Sequence, residues 1–195
     1  MAENEESGVT AKPKKPTRLP GDPSKAEMIE QVVRVDQAGE YGAVRIYEGQ
    51  LAVLGNTAAG PIIEEMLEKE REHLKTFDGL VAERRVRPTA LMPLWHVAGF
   101  MLGAGGALLG EKAAMACTVA VEETIDAHYA EQIAALEPYA DEAELRETCV
   151  KFRDDELEHR DTGLQHGAQD APGYEILTAA VKTGSRLAIW LSARI

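Results

Sequence analysis

Apolar residues along the chain recur at three- and four-residue intervals over long stretches and do not keep the strict alternation of a half-buried strand, so the pattern is that of amphipathic helices. Ser24 followed by Glu27 has the spacing of a capping box, and the helical period after it holds until Gly55-Asn56, predicting a first helix over about 25–54. Pro61 suits a first helical turn, and the run it opens closes before Arg87-Pro88, predicting a helix over about 61–84. A third, uncharged helix is expected over about 89–110, a fourth over 111–136, stopping near Pro138, and a fifth over 141–165, where Asp141 and Glu144 form a cap-like pair. The last, over 174–193, places Ile176, Leu177, Ala180, Val181, Leu187, Ala188 and Leu191 on one stripe, with Lys182, Ser185 and Arg186 away from it. Residues 1–23 combine charge and four prolines with few bulky apolar residues, and are expected to form a disordered tail that serves neither as a signal nor as a transit peptide.

With 195 residues, one domain over 24–195 is the expectation. Aromatics make up only 5% of a composition rich in Ala, Leu and Glu, which agrees with an all-α fold. The net charge of -12 disfavours nucleic acid as a partner, because phosphate binding needs clustered Lys and Arg. Cys117 and Cys149 are too few for a disulfide framework and are expected as buried free thiols.

The two halves of the chain repeat one pattern. Glu40 is followed by Tyr47 and Gln50, and Glu122 by Tyr129 and Gln132, at the same offsets; downstream of each lies a Glu-x-x-His, Glu70 with His73 and Glu156 with His159. In a helix, positions three apart share a face, so each such pair aims one carboxylate and one imidazole at a common point. Adding Glu40 and Glu122 makes four carboxylates and two imidazoles, the donor set of ferritin-like di-iron and di-manganese four-helix bundles. Four carboxylates balance two divalent ions; without metal they repel one another. With 33 acidic residues among 195, a carboxylate three before a given His arises by chance about one time in six, so a single copy would read as a solvated helix face. Two copies at matched positions do not.

Register supports the second unit. Glu122 lies fifteen residues before Glu137 and Glu156 fifteen after Asp141, so at about 1.5 Å per residue they meet at one depth in an antiparallel pair. In the first unit Glu40 lies fifteen before Gly55 but Glu70 only nine after Pro61, a difference that the loop 56–60 has to absorb. Asp155 and Asp36 are placed to accept from the outer nitrogens of the two imidazoles. Tyr47 and Tyr129 lie about two turns from a ligand and can bond a carboxylate or contact substrate. His128 is near enough to Glu122 to line the pocket, whereas Glu72 and Glu158 are expected to face water and His96 an interface.

The segments RVDQAGEYGAVRIYEGQ (34–50), EREHLKTF (70–77), ACTVAVEETIDAHYAEQI (116–133) and FRDDELEHRDTGL (152–164) closely resemble the 5-demethoxyubiquinone hydroxylase family of ubiquinone biosynthesis, over about residues 25–195. The resemblance places that family's iron ligands on Glu40, Glu70, His73, Glu122, Glu156 and His159. It implies a di-iron monooxygenase with two Fe ions per chain, acting with dioxygen and an external reductant, NADH being the candidate, on a long-chain quinone. It also implies membrane association and, in some lineages, a lipid-binding partner protein. From the ligand types alone Fe and Mn stay open. The same ligands would also serve an iron-storage protein or a di-manganese catalase.

The uncharged stretch Ala90–Leu109 has the residue count of a bilayer span. A crossing there would put Glu40, Glu70 and His73 on one side of the membrane and Glu122, Glu156 and His159 on the other, so a span contradicts the site. With Arg84, Arg85 and Arg87 beside it, the stretch is expected to lie along a membrane surface, on the cytoplasmic face of a bacterial inner membrane in the absence of a transit peptide. A homo-oligomer is expected too, since exposed apolar surface also forms subunit interfaces.

Overall fold

The structure, a computed structural model, describes Leu19 and residues 21–195. The disordered tail expected over 1–23 falls almost wholly outside the described residues. Six α-helices follow in order: α1 (Lys25–Leu54), α2 (Gly60–Arg84), α3 (Met92–Leu108), α4 (Glu111–Leu136), α5 (Ala143–Gln165) and α6 (Tyr174–Ser192). Among the described residues there is no strand, and the chain is all-α as expected.

The start of α1 follows its sequence signal: Glu27 N donates to Ser24 Oγ at 3.1 Å, and Ser24 N donates to the Glu27 carboxylate at 2.6 Å, a complete capping box. The expected cap at Asp141 does not form. A 3-10 turn, Ala140–Glu142, precedes α5, and the Asp141 carboxylate pairs with Lys25 while Glu142 pairs with Arg84 at 2.6 Å, so these acids tie the end of the bundle together. The third helix is also shorter than expected, because Thr89–Leu91 form a turn and Pro93 sits in the first helical turn.

Helices α1 and α2 pack as one pair and α4 and α5 as another, and the pairs meet through α1 with α4 and α2 with α5. Between them lie two apolar layers. One gathers Leu54, Ile63, Leu67, Ala114 and Met115; the other gathers Ile29, Val33, Phe77, Leu136, Leu145 and Phe152. On each of the four helices the Glu and Glu-x-x-His positions fall in the slab between these layers, which is why groups that seldom go inside are buried. Cys117 and Cys149 are free and buried.

Helix α3 lies along α1 at backbone distance. A Cβ on Gly103 would stand 1.9 Å from Ile46 O and one on Gly49 2.2 Å from Phe100 O, so only glycine permits this approach. The glycine face of α3 is thus its inner face, and the outer one carries Leu94, Val97, Met101 and Leu108, the last 74% exposed. Helix α6 packs on α4, but the expected single apolar stripe divides. Val181 is buried and Leu177 and Ala188 are half-buried, while Ile176 and Leu187 stand outside with Trp190. Lys182, expected to face away, turns toward α4 and pairs with Glu123. No helix among the described residues is long and apolar enough to cross a membrane.

Candidate metal centre

The bundle brings together all six residues of the repeat. Glu40, Glu70, His73 and Glu156 each offer one donor atom within 4.8 Å of the others, and so do Glu70, Glu122, Glu156 and His159. Glu70 and Glu156 belong to both groups and are the two carboxylates that a pair of ions would share. Glu40 with His73 stands at one end, Glu122 with His159 at the other. Both imidazoles point Nδ1 inward: His73 Nδ1 lies 3.3 Å from Glu156 and 3.5 Å from Glu40, and His159 Nδ1 lies 3.0 Å from Glu70 and 3.4 Å from Glu156. The offset in residue count between Glu40 and Glu70 does not separate them.

These residues fit a pair of metal ions, because the atoms a metal would engage are those the protein leaves unbonded. Glu40 Oε2, both oxygens of Glu70 and of Glu156, Glu122 Oε2 and the Nδ1 atoms of both histidines are buried without a hydrogen-bond partner. Buried polar atoms are otherwise almost always satisfied. The charges of the protein alone are correspondingly strained. Burial, then the neighbouring Glu156 carboxylate, push Glu70 and Glu122 well above the usual carboxylate range. Burial opposes a charge on His73 too, but the nearby Glu156 and Glu40 carboxylates outweigh it and hold that imidazole up at about 11. Burial likewise disfavours the Glu156 anion, yet His159 and His73 bring it down to about 2. The metal-free cluster thus keeps protons in the place of cations.

Around the six lies a network in which the repeat reads across the bundle. Tyr47 on α1 donates to Glu122 on α4 at 2.8 Å, and Tyr129 on α4 donates to Glu40 on α1. Gln132 Nε2 donates to Asp36 Oδ1 at 2.6 Å, and Gln50 Nε2 donates to Thr118 Oγ1 at 3.2 Å, a second crossed pair at matching offsets. Burial holds both phenols protonated, so they act as donors. Gln50 and Gln132 carry no role in the sequence reading; their shared offset from Glu40 and Glu122 was the signal.

Asp155 takes the expected place, 3.1 Å from His73 Nε2. Asp36 does not: it meets neither imidazole of the cluster but accepts from Gln132, since four residues before Glu40 it lies one helical turn away from it. His128 also stays out of the cluster. Its Nε2 accepts from Gln132 at 2.9 Å, and its ring lines a cleft of about 440 Å³ beneath α6. Glu72 and Glu158 are exposed as expected, and His96 is exposed with Nδ1 2.6 Å from the Tyr41 hydroxyl.

Residues 27–192 match the family described as Ubiquinone biosynthesis protein COQ7. The chain belongs to the COQ7 family. Its relatives include the 3-demethoxyubiquinol 3-hydroxylase of Rhodospirillum rubrum, 60% identical over 179 residues that span 91% of this chain and 84% of that protein. The mitochondrial NADPH-dependent 3-demethoxyubiquinone 3-hydroxylase of Homo sapiens is 55% identical over 169 residues, 86% of this chain and 78% of the relative. The mitochondrial 5-demethoxyubiquinone hydroxylase of Saccharomyces cerevisiae is 41% identical over 187 residues, 88% and 80% of the two chains. COQ7 membership agrees with the family resemblance of the sequence motifs.

An apolar cavity of about 340 Å³ lies between α1, α3, α4 and α6, lined by residues such as Gly42, Ile46, Leu102, Ile125 and Ala188. Gly39 and Val121, the chain neighbours of Glu40 and Glu122, form part of its wall. Trp95 Nε1 donates to Ser192 Oγ at 3.0 Å, joining α3 to α6 at this cavity.

Proposed function

We propose that this COQ7 protein is an oxygen-dependent hydroxylase that adds a hydroxyl group to the ring of a demethoxylated ubiquinone or its quinol, in ubiquinone biosynthesis, using two iron ions held by Glu40, Glu70, His73, Glu122, Glu156 and His159. The observation that carries this reading is the set of inward, unbonded donor atoms beside an apolar cavity whose wall includes the neighbours of two of the ligands. An ionic centre suits dioxygen, and an apolar flank suits a long-tailed quinone.

When bound, the metal pair supplies the binding and reduction of dioxygen. The chain's own groups do the rest. Tyr47 and Tyr129 hold Glu122 and Glu40 by one oxygen each, leaving the other oxygen directed inward. Asp155 fixes the ring of His73. The two apolar layers keep water from the centre, and the cavity between α1, α3, α4 and α6 receives the quinone. The reaction balances when one oxygen atom enters the ring and the other leaves as water, with two electrons and two protons from an external reductant. A reduced nicotinamide dinucleotide fills that role; several relatives are NADPH-dependent by name.

The outer face of α3 and the exposed Ile176, Leu187 and Trp190 of α6 form an apolar edge beside the cavity, which suits peripheral attachment to the membrane that holds the substrate, the cytoplasmic face in a bacterium. The same edge can seat a lipid-binding partner or a second copy. The test is direct: full-length protein reconstituted with ferrous iron is given demethoxyubiquinol in vesicles, reductant and air. Product heavier by one oxygen atom supports the reading, while iron oxidised and retained without product supports a storage protein.

A further inference from the structure

The repeat makes the two ends of the centre alike in their ligands and unlike at a few neighbouring positions, one of which touches an imidazole. The six ligand glutamates and histidines, with Tyr47 and Tyr129 and with Gln50 and Gln132, have counterparts in the other half. The residue just before each Glu-x-x-His does not: it is Asp155 before Glu156 but Lys69 before Glu70. This difference falls on the outer nitrogens of the two imidazoles. His73 Nε2 meets Asp155 Oδ2 at 3.1 Å, and its ring stacks on Phe152 with centroids 3.9 Å apart. His159 Nε2 is buried with no hydrogen-bond partner among the described residues. Lys69 offers it none, because its ammonium is drawn outward to Glu158 at 2.6 Å and Asp155 at 3.6 Å, and a lysine could only donate.

We propose that the two metal positions are inequivalent by construction, and that Asp155 makes the position shared by His73 and Glu40 the tighter one, filled first. A carboxylate accepting from the outer N–H of an imidazole fixes which nitrogen keeps its proton, so that the inner nitrogen is the one that exchanges a proton for metal, and it raises the basicity of that nitrogen. Asp155 and the Phe152 stack also hold the ring in its binding orientation before metal arrives, so less freedom is lost on binding. His159 has an edge-on Tyr47 ring as its aromatic neighbour, with centroids 6.1 Å apart, and no acceptor for its outer nitrogen. The first ion therefore settles at the His73 end, and the second completes the centre at the His159 end through the shared Glu70 and Glu156. Asp155 acts here as a positioning residue.

This inference rests on the two-metal reading above, and the experiment separates the two. The full chain, stripped by chelation, is titrated anaerobically with Mn(II) and followed by electron paramagnetic resonance. The expected course is a mononuclear signal growing through the first equivalent and giving way to a coupled dinuclear signal through the second. Asp155→Asn, which keeps shape but removes the charge, should weaken the first step by roughly 10- to 100-fold, the usual effect of such outer partners, and merge the two phases. His159→Ala should keep the mononuclear phase at wild-type affinity, whereas His73→Ala should lose it. Two ions binding in a single phase, an unchanged first step in Asp155→Asn, or equal losses in the two histidine variants would overturn the inference while leaving the two-metal reading intact. Failure of the wild type to bind two ions would overturn both.

Discussion

Tyr47 donates its phenolic proton to Glu122 across 2.8 Å, from α1 to α4, with both side chains buried. Its counterpart Tyr129 returns the bond from α4 to Glu40. Each tyrosine thus belongs in sequence to one half of the repeat and bonds the buried glutamate of the other, tying the two helix pairs together at the depth of the cluster.

Removing that hydroxyl should therefore be felt in the chemistry. Tyr47→Phe leaves Glu122 without its fixed donor, and a fall in turnover of about 10- to 100-fold is expected, with the metal-free fold losing about 1–3 kcal/mol from the carboxyl oxygen left unsatisfied. Steady-state rates beside thermal denaturation check this. Wild-type turnover in Tyr47→Phe and Tyr129→Phe would show that the phenols are only core residues.

Metal stoichiometry should follow the sharing of ligands. Glu70→Ala or Glu156→Ala removes a donor common to both groups and should cost most of both ions, whereas Glu122→Ala should retain about one. Glu72→Ala and Glu158→Ala lie on the exposed faces of the same helices and should bind as wild type does. Elemental analysis after anaerobic ferrous loading gives the comparison, and metal loss in the last two variants would point to the other helix face.

Stability without metal should fall as pH rises from about 5 to 9. Glu70 and Glu122, held above the usual carboxylate range by burial and by Glu156, favour their protonated forms in the folded state, so ionising them opposes folding. His73, raised to about 11, contributes stability that is complete below its ordinary value near 6.5 and is lost as pH climbs toward 11. Glu156, lowered to about 2, acts in the opposite sense only below the ordinary carboxylate value. The metal-loaded protein exchanges these protons for cations and should show a flatter profile. Melting curves of both forms across this range test the sign.

Vesicle sedimentation should depend more on apolar than on basic residues. Arg84 is tied to Glu142 at 2.6 Å and is not free to meet headgroups, which leaves Arg85 and Arg87 of the expected cluster. Changing Leu94, Val97 and Met101 together to Ser should abolish sedimentation with vesicles, while Arg85→Glu with Arg87→Glu should weaken it only at low salt. Full sedimentation of the triple serine variant would place the contact elsewhere.

Much of the centre was legible because a repeat carries its own register: Glu40 and Glu122, Tyr47 and Tyr129, and the two Glu-x-x-His pairs all recur at fixed offsets, and helical periodicity puts them on inner faces. What stayed hidden was whatever depends on the rotation of one helix against another. Periodicity put Ile176 and Leu187 on one stripe with Val181, but only the packing of α6 on α4 decides which of them is covered. Asp36 has the right charge and helix for an imidazole partner, yet its height along α1 gives it to Gln132. The close approach of α3 to α1, which requires Gly49 and Gly103, is likewise a tertiary contact.

On the proposed reading, Glu40, Glu70, His73, Glu122, Glu156 and His159 hold a metal pair that brings dioxygen to a quinone ring. The most direct measurement is the origin of the new oxygen atom, read by mass analysis of product formed by ferrous-loaded protein under isotopically labelled dioxygen, and again under unlabelled dioxygen in labelled water. Label from dioxygen appearing in the ring hydroxyl in the first case, and none from water in the second, is the expected result. A hydroxyl oxygen drawn from water would contradict it.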